Sequence, residues 1–167
     1  MADRIFNVLF LCTGNSARSI MAEAILNKLG SGRFRAFSAG SHPKGAVHPL
    51  ALRELARSGL PTEGLASKHW NVFATPDAPA MDFIFTVCDS AAGETCPRWP
   101  GRFAAYWSLE DPAAVEGTDA QKETAFSTAA RYLRNRIVVG FLSLPLRSLN
   151  ALVHEARLRE TGKSNVD

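Results

Sequence analysis

The sequence predicts a single α/β domain with a central four-stranded parallel sheet, helices on both faces and an extra C-terminal helix. Apolar runs of strand length alternate with helical patterns along the 167 residues, and such alternation favours a parallel sheet covered by helices. Three chemically active candidates, Cys12, Cys88 and Asp111, each follow a predicted strand, where ligands bind in sheets of this kind. We therefore place the main domain at residues 1–145 and a helical extension with a frayed tail at 146–167.

The first half of the chain predicts two strands and two helices. Branched and aromatic side chains predict a strand at Ile5–Leu11, and good helix formers predict a helix over Met21–Leu29. A second strand is predicted at Arg33–Ser38. The second predicted helix covers Val47–Gly59 and stops at its glycine, with Leu52, Leu55 and Ala56 facing inward.

The second half predicts two more strands and a long helix. The strands are Phe83–Val87 and Phe103–Trp107, and the helix covers Asp119–Leu142. Its apolar stripe consists of Ala125, Phe126, Ala129, Leu133 and Ile137. A further stripe predicts a C-terminal helix that packs on the main domain or, as the alternative, on a second subunit: Leu146, Leu149, Leu152, Val153 and Ala156. Residues 161–167 are predicted to fray.

Composition excludes several classes of function. A net charge of +3 with scattered basic residues does not predict nucleic-acid binding. The longest apolar segment, Ile137–Leu146, is interrupted by Ser143 and Pro145 and is too short to span a bilayer. Three cysteines without a signal peptide predict a reducing, cytoplasmic environment. We expect a monomer or a weak dimer.

The segment Cys12–Ser19 carries the strongest chemical signal because it connects a predicted strand to a predicted helix. Its backbone N–H groups and the positive end of the helix dipole predict a cradle for a tetrahedral oxyanion. Cys12 supplies a nucleophile at its start. The residues expected to surround the anion are Thr13, Gly14, Asn15, Ser16, Ala17, Arg18 and Ser19.

Each residue type in this loop suits that chemistry. A helix N-terminus and a neighbouring cation favour the thiolate, the reactive form of Cys12. Arg18 can bind two oxygens at once, Ser19 can donate to the thiolate, and Asn15 can fix the curved backbone. The alternative is a buried strand-end thiol beside a solvated arginine. Five such residue types together at a strand-to-helix junction favour the oxyanion site.

These residues, followed by Met21-Ala-Glu23, resemble the phosphate loop of low molecular weight protein tyrosine phosphatases and of the arsenate reductases built on the same fold. The resemblance extends from about Ile5 to Leu142 and implies a flavodoxin-like sandwich with residues 1–145 as the catalytic domain. The loop itself does not separate the two activities. Ala17 stands where many relatives have a second loop cysteine, which slightly weakens the phosphatase interpretation.

The other two cysteines favour a reductase. Cys88 follows a predicted strand, and Cys96-Pro97 comes after seven further residues, an arrangement similar to that of the reductases. The resemblance implies a three-thiol relay in which Cys12 attacks first and Cys88 and Cys96 form the final disulfide. The alternative is two ordinary apolar residues in a loop. A zinc site does not fit, because the spacing is not Cys-x2-Cys and no histidine follows at ligand spacing, so no metal ligand is predicted.

Asp111-Pro112 is the remaining catalytic candidate. In the superfamily an Asp-Pro loop over the cradle provides the general acid for the leaving oxygen. Ala113 and Ala114 replace the tyrosines that usually follow in the phosphatases. The alternative for Asp111 is a turn starter, since Asp before Pro commonly initiates turns.

The sequence therefore predicts reduction of arsenate to arsenite without a bound cofactor, using thioredoxin or glutaredoxin with glutathione as external reductant. A phosphatase acting on phosphotyrosine is the alternative, and a non-catalytic oxyanion-binding or redox-sensing module is a third. Asn15, Glu23 and Ser38 resemble positions that help hold potassium in some arsenate reductases. The acidic partner expected after the second helix is not evident near Asn71.

Overall fold

The computed structural model describes residues 4–89, 93–97, 104–145 and 147–152. Four strands form one parallel sheet in the order β2-β1-β3-β4. Their bounds are β1 Phe6–Cys12, β2 Phe34–Gly40, β3 Phe83–Cys88 and β4 Ala104–Ser108. The helices are α1 Arg18–Leu29, α2 Pro49–Arg57, α3 Asp119–Ile137 and a short C-terminal α4 at 147–152. The predicted frayed tail lies outside the described residues.

Alternating side chains of β1 enter two separate cores. Phe6, Val8 and Phe10 pack into the larger core together with α1, α2 and α3. Leu9 and Leu11 point to the other face and pack into a smaller core. A 3₁₀ helix at Trp70–Phe73 contributes two aromatic rings there. Since both faces of β1 are covered, the strand is apolar almost throughout, as is typical of a central parallel strand.

Helices α1, α2 and α3 each differ from their predictions. Helix α1 begins at Arg18, three residues before the predicted start, so the last residues of the oxyanion cradle are helical. Helix α3 ends at Ile137, and a π-helical turn continues to Leu142. In α2 the prediction that Ala56 faces inward is wrong. The buried positions are Ala51 and Leu55, which lie one helical turn apart on the same face of the helix. Ala56 lies outside this face and is exposed.

The chain after α3 returns to the main domain. Leu149 of α4 is fully buried in the larger core. Arg33, the residue before β2, donates hydrogen bonds to the carbonyl oxygens of Leu142 (3.2 Å) and Leu144 (2.9 Å). Among the described residues, no helix combines the length and the apolar character that crossing a membrane requires.

Candidate oxyanion and thiol site

Residues 13–19, here called the oxyanion loop, follow β1 and lead into α1. The segment 42–48 binds the outside of this loop through three backbone hydrogen bonds of 2.8–2.9 Å. The accepting carbonyl oxygens belong to Thr13, Gly14 and Ser16. Gly40, the last residue of β2, also approaches the loop so closely that an added Cβ would lie 2.5 Å from the carbonyl oxygen of Thr13. The loop is therefore fixed by backbone contacts from two other segments.

Asn15 stabilises the curvature of the oxyanion loop. Its φ of +43° lies in the left-handed region, which asparagine tolerates better than most residues, and its side chain is completely buried. The amide nitrogen donates to the hydroxyls of Ser19 (2.8 Å) and Ser38 (3.0 Å). The amide oxygen accepts from the backbone N–H of Lys68 at 2.8 Å. All of these bonds are internal, which makes the geometry independent of any ligand.

Cys12 is buried and is the free thiol of the chain, since the other two cysteines are bonded to each other. Its Sγ lies 2.8 Å from the hydroxyl oxygen of Ser19. The backbone N–H of Asn15 points at the same sulfur, 3.2 Å away. Both groups are placed to donate hydrogen bonds to a thiolate, as the sequence predicted for Ser19.

Arg18 lies at the first position of α1 with only 4% of its side chain exposed. One terminal nitrogen donates to the carbonyl oxygen of Leu109 at 3.1 Å, and the other lies 3.8 Å from Asp111 Oδ2. Burial alone would lower the pKa of Arg18. A hydrogen bond to Glu94 and the negative charges of Cys12, Asp111 and Glu94 outweigh burial and raise that pKa. The guanidinium is thus a permanently charged group that faces the site.

Asp111 begins a turn with one carboxylate oxygen and faces Arg18 with the other. Its Oδ1 accepts from the backbone N–H of Ala113 at 3.0 Å and so begins a short 3₁₀ helix at Pro112–Ala114. Its Oδ2 faces Arg18. The side chain is 30% exposed, so it is open to solvent beside the oxyanion loop.

Cys88 and Cys96 form a disulfide with their Cα atoms 5.8 Å apart. Cys88 ends β3 and is completely buried, whereas Cys96 is half-buried. The hydroxyl of Tyr106 donates to the carbonyl oxygen of Cys88 at 2.9 Å, and Thr86 donates to that of Pro97 at 3.2 Å. This is the pair that the family resemblance implied as the final disulfide.

Glu94 is a site residue that the sequence reasoning missed. Its two carboxylate oxygens accept from both terminal nitrogens of Arg18, at 2.7 and 2.8 Å. They also accept from the hydroxyl of Thr13 (2.6 Å) and the backbone N–H of Asp89 (2.9 Å). Partial burial opposes ionisation, but these donors and the charge of Arg18 lower the pKa of Glu94 to about 2. The available signal was an acidic residue between two candidate relay cysteines.

An ammonium group lies beside the residues that resemble the potassium positions of some arsenate reductases. Lys68 Nζ donates to the carbonyl oxygens of Ser38 (2.9 Å) and Ala66 (2.7 Å) and lies 3.9 Å from Glu23 Oε1. Burial raises the pKa of Glu23, and the charge of Lys68 only partly opposes this; burial likewise lowers the pKa of Lys68. Asn15 Oδ1 and the carbonyl oxygen of Ser38 already accept from Lys68, and Glu23 already faces its charge, so these residues do not fit a potassium ion.

Comparisons with known proteins agree with this geometry. The family model described as low molecular weight phosphotyrosine protein phosphatase matches residues 7–125. An arsenate reductase of Halalkalibacterium halodurans is 33% identical over 78% of this chain and 91% of its own length. The chain is also similar to a solved arsenate reductase in the phosphate binding state, with a TM-score of 0.68 and 27% identity, over 84% of this chain and 100% of that one. A thioredoxin-dependent arsenate reductase of Corynebacterium glutamicum gives a TM-score of 0.55 at 27% identity, over 84% of this chain and 65% of that one.

Proposed function

The chain belongs to the low molecular weight phosphotyrosine protein phosphatase family, and we propose that within this family it reduces arsenate to arsenite by a cysteine relay. The observation that carries the proposal is the Cys88–Cys96 disulfide beside the oxyanion loop. Glu94, between these two cysteines in the chain, contacts Arg18 and Thr13 of the loop. A hydrolase would need the loop, the nucleophile and the acid, but not a redox pair at the same place.

The first step is attack on a bound oxyanion. Arg18 and the N–H groups of the oxyanion loop bind the oxygens of arsenate, and the Cys12 thiolate attacks arsenic. An As–S bond forms and an As–O bond breaks. Asp111 protonates the departing oxygen, which leaves as water.

The second step transfers two electrons to arsenic. The Cys88 thiolate attacks Cys12 Sγ, the S–As bond breaks, and its electron pair leaves with arsenic, which departs as arsenite in the +3 state. A Cys12–Cys88 disulfide remains. Cys96 then attacks Cys88 Sγ, which releases the Cys12 thiolate and forms the Cys88–Cys96 disulfide present in the structure.

An external thiol completes the cycle. Cys88 is buried and Cys96 is half-buried, so an incoming thiolate has access to Cys96 Sγ and displaces Cys88. Thioredoxin is named for the Corynebacterium glutamicum relative, and we propose either thioredoxin or glutaredoxin with glutathione as the donor here.

The test separates reduction from hydrolysis in one protein. Arsenate-dependent NADPH consumption is measured with each coupling system, beside hydrolysis of an aryl phosphate. Cys88→Ala is expected to abolish arsenate reduction and leave hydrolysis largely intact, because hydrolysis needs only Cys12, Arg18 and Asp111. Retained hydrolysis is the internal control for folding. Arsenate reduction that survives in Cys88→Ala would contradict the relay. Hydrolysis without arsenate reduction in the unmodified chain would favour a phosphatase.

The order of the thiols is tested in Cys96→Ser. After one equivalent of arsenate, mass mapping is expected to find a Cys12–Cys88 disulfide, with multiple turnovers lost. Normal steady-state turnover in this variant would remove Cys96 from the mechanism.

A further inference from the structure

The carboxylate of Glu94 occupies the position that an oxyanion would take on Arg18. Both terminal nitrogens of the guanidinium donate to it, at 2.7 and 2.8 Å, the fork arrangement that arginine also forms with phosphate or arsenate. Thr13 of the oxyanion loop adds a third donor at 2.6 Å. The side chain therefore mimics two oxygens of a bound tetrahedral anion.

This contact occupies the fork formed by the two terminal nitrogens of Arg18. One terminal nitrogen also donates to the carbonyl oxygen of Leu109, and Asp111 lies near the other. The guanidinium is almost entirely buried, so it cannot turn another edge towards solvent without leaving its place. An oxyanion that binds these two terminal nitrogens therefore competes with the Glu94 carboxylate for them.

The position of Glu94 depends on the chain between the two relay cysteines. The disulfide closes a short loop, and Glu94 lies two residues before Cys96. The backbone of Asp89, next to Cys88, both donates to the Glu94 carboxylate at 2.9 Å and accepts from the Glu94 N–H at 3.2 Å. Gly93 has a φ of +86°, a conformation that side chains disfavour, and it forms the turn immediately before Glu94.

We infer that Glu94 is an internal competitor of the oxyanion, bound to Arg18 when Cys88 and Cys96 are joined and displaced by substrate when they are reduced. This inference rests on the proposed function. Its consequence is that arsenate is excluded from an enzyme whose relay thiols are already oxidised. Cys12 would otherwise form an arsenic adduct that no thiol could resolve.

The low pKa of Glu94 agrees with this role. A carboxylate with a pKa of about 2 stays ionised throughout the physiological pH range, in which arsenate and phosphate are also anions. The competition therefore does not weaken with pH near neutrality. Only opening of the disulfide or a high concentration of oxyanion would remove the carboxylate.

The experiment measures inorganic phosphate binding by calorimetry in two redox states. The oxidised protein carries the Cys88–Cys96 disulfide, checked by mass mapping, and the reduced protein is treated with dithiothreitol and desalted without oxygen. In the unmodified chain, oxidation is expected to weaken phosphate binding about tenfold. Phosphate must then replace Glu94 in both of its charge-assisted hydrogen bonds to Arg18. In Glu94→Gln the two redox states are expected to agree within about twofold.

Two further variants make the result specific. Glu110→Gln removes the same charge from an exposed residue beside Asp111 and is expected to keep the tenfold difference of the unmodified chain. Glu94→Asp keeps the charge but shortens the side chain by one methylene, so it is expected to lose most of that difference. Retention of the full difference in Glu94→Asp would overturn the role of the bidentate contact.

The remaining outcomes are also decisive. Equal phosphate affinity of the oxidised and reduced unmodified chain would overturn the inference while leaving the relay untouched. If Glu94→Gln bound phosphate more tightly than the unmodified chain by the same factor in both redox states, the coupling to the disulfide would be overturned. Absence of phosphate binding in every form would contradict the oxyanion site itself, and with it the proposed function.

Discussion

The oxyanion loop and the relay segment, residues 88–97, are stabilised in opposite ways. Polar residues of the loop are buried and bound within the fold, as Asn15 is through Ser19, Ser38 and Lys68. In the described part of the relay segment, Glu94 and Cys96 are half-buried, and their main contacts are an ion pair and a disulfide. The fold thus fixes the oxyanion loop. The disulfide that positions the relay segment, by contrast, is made and broken in the proposed reaction itself.

The largest expected effect removes the nucleophile from the fixed half. Cys12→Ser is expected to lower both arsenate reduction and aryl phosphate hydrolysis by about a thousandfold or more, because the loop does not ionise a serine hydroxyl. The loop geometry should survive, so phosphate binding is the control and should change little. Substantial turnover in either assay would contradict the role of Cys12 and the comparison drawn above.

A smaller effect is expected when the internal support of the loop is removed. Asn15→Ala loses three side-chain hydrogen bonds and places alanine at a positive φ, which should cost about 2–4 kcal/mol in the free energy of unfolding. Asn15→Gly keeps the backbone conformation and should be more stable than Asn15→Ala by about 1 kcal/mol. Urea unfolding measures both values.

The control for these variants is Asn71→Ala, since Asn71 is exposed. Its cost should be small. If Asn15→Ala cost no more than Asn71→Ala, the oxyanion loop would not be fixed by internal bonds, and the contrast with the relay segment would fail.

The smallest expected effect concerns the ammonium group behind the loop. Lys68→Met leaves Glu23 without its cation and should cost about 1–2 kcal/mol near pH 8, because partial exposure limits the penalty. The pKa of Glu23 is already raised by burial, so its ionised form destabilises the fold as pH rises above the usual range of a glutamate. The cost of Lys68→Met should therefore be smaller at pH 5, where Glu23 can take up a proton.

Urea unfolding at the two pH values checks this, with Lys28→Met as the matched control because Lys28 is exposed. The same measurement in potassium and sodium chloride should give equal midpoints for the unmodified chain. A specific stabilisation by potassium, or an equal effect of both lysine variants, would contradict the role given to Lys68.

The same contrast explains what the sequence could reveal. Cys12, Arg18 and Ser19 lie within eight consecutive residues, so a strand, a loop and a helix start were enough to predict that they lie at one junction. Glu94 reaches Arg18 across 76 residues, and Lys68 reaches Asn15 across 53. No short sequence pattern predicts such contacts, because they depend on the path that the segments between the strands take in the folded protein. The prediction that Ala56 of α2 faces inward was wrong for a similar reason, since the packing of α2 on α3 is not a local property.

Gly40 has a consequence for protein design. Its backbone lies where a Cβ would collide with the carbonyl oxygen of Thr13, and it pairs in register with Cys12. Grafting the eight residues from Cys12 to Ser19 onto another parallel sheet would therefore fail unless the adjacent strand also ends in glycine at that register. A successful graft would therefore have to include the ends of both strands, β1 and β2, as well as the loop sequence.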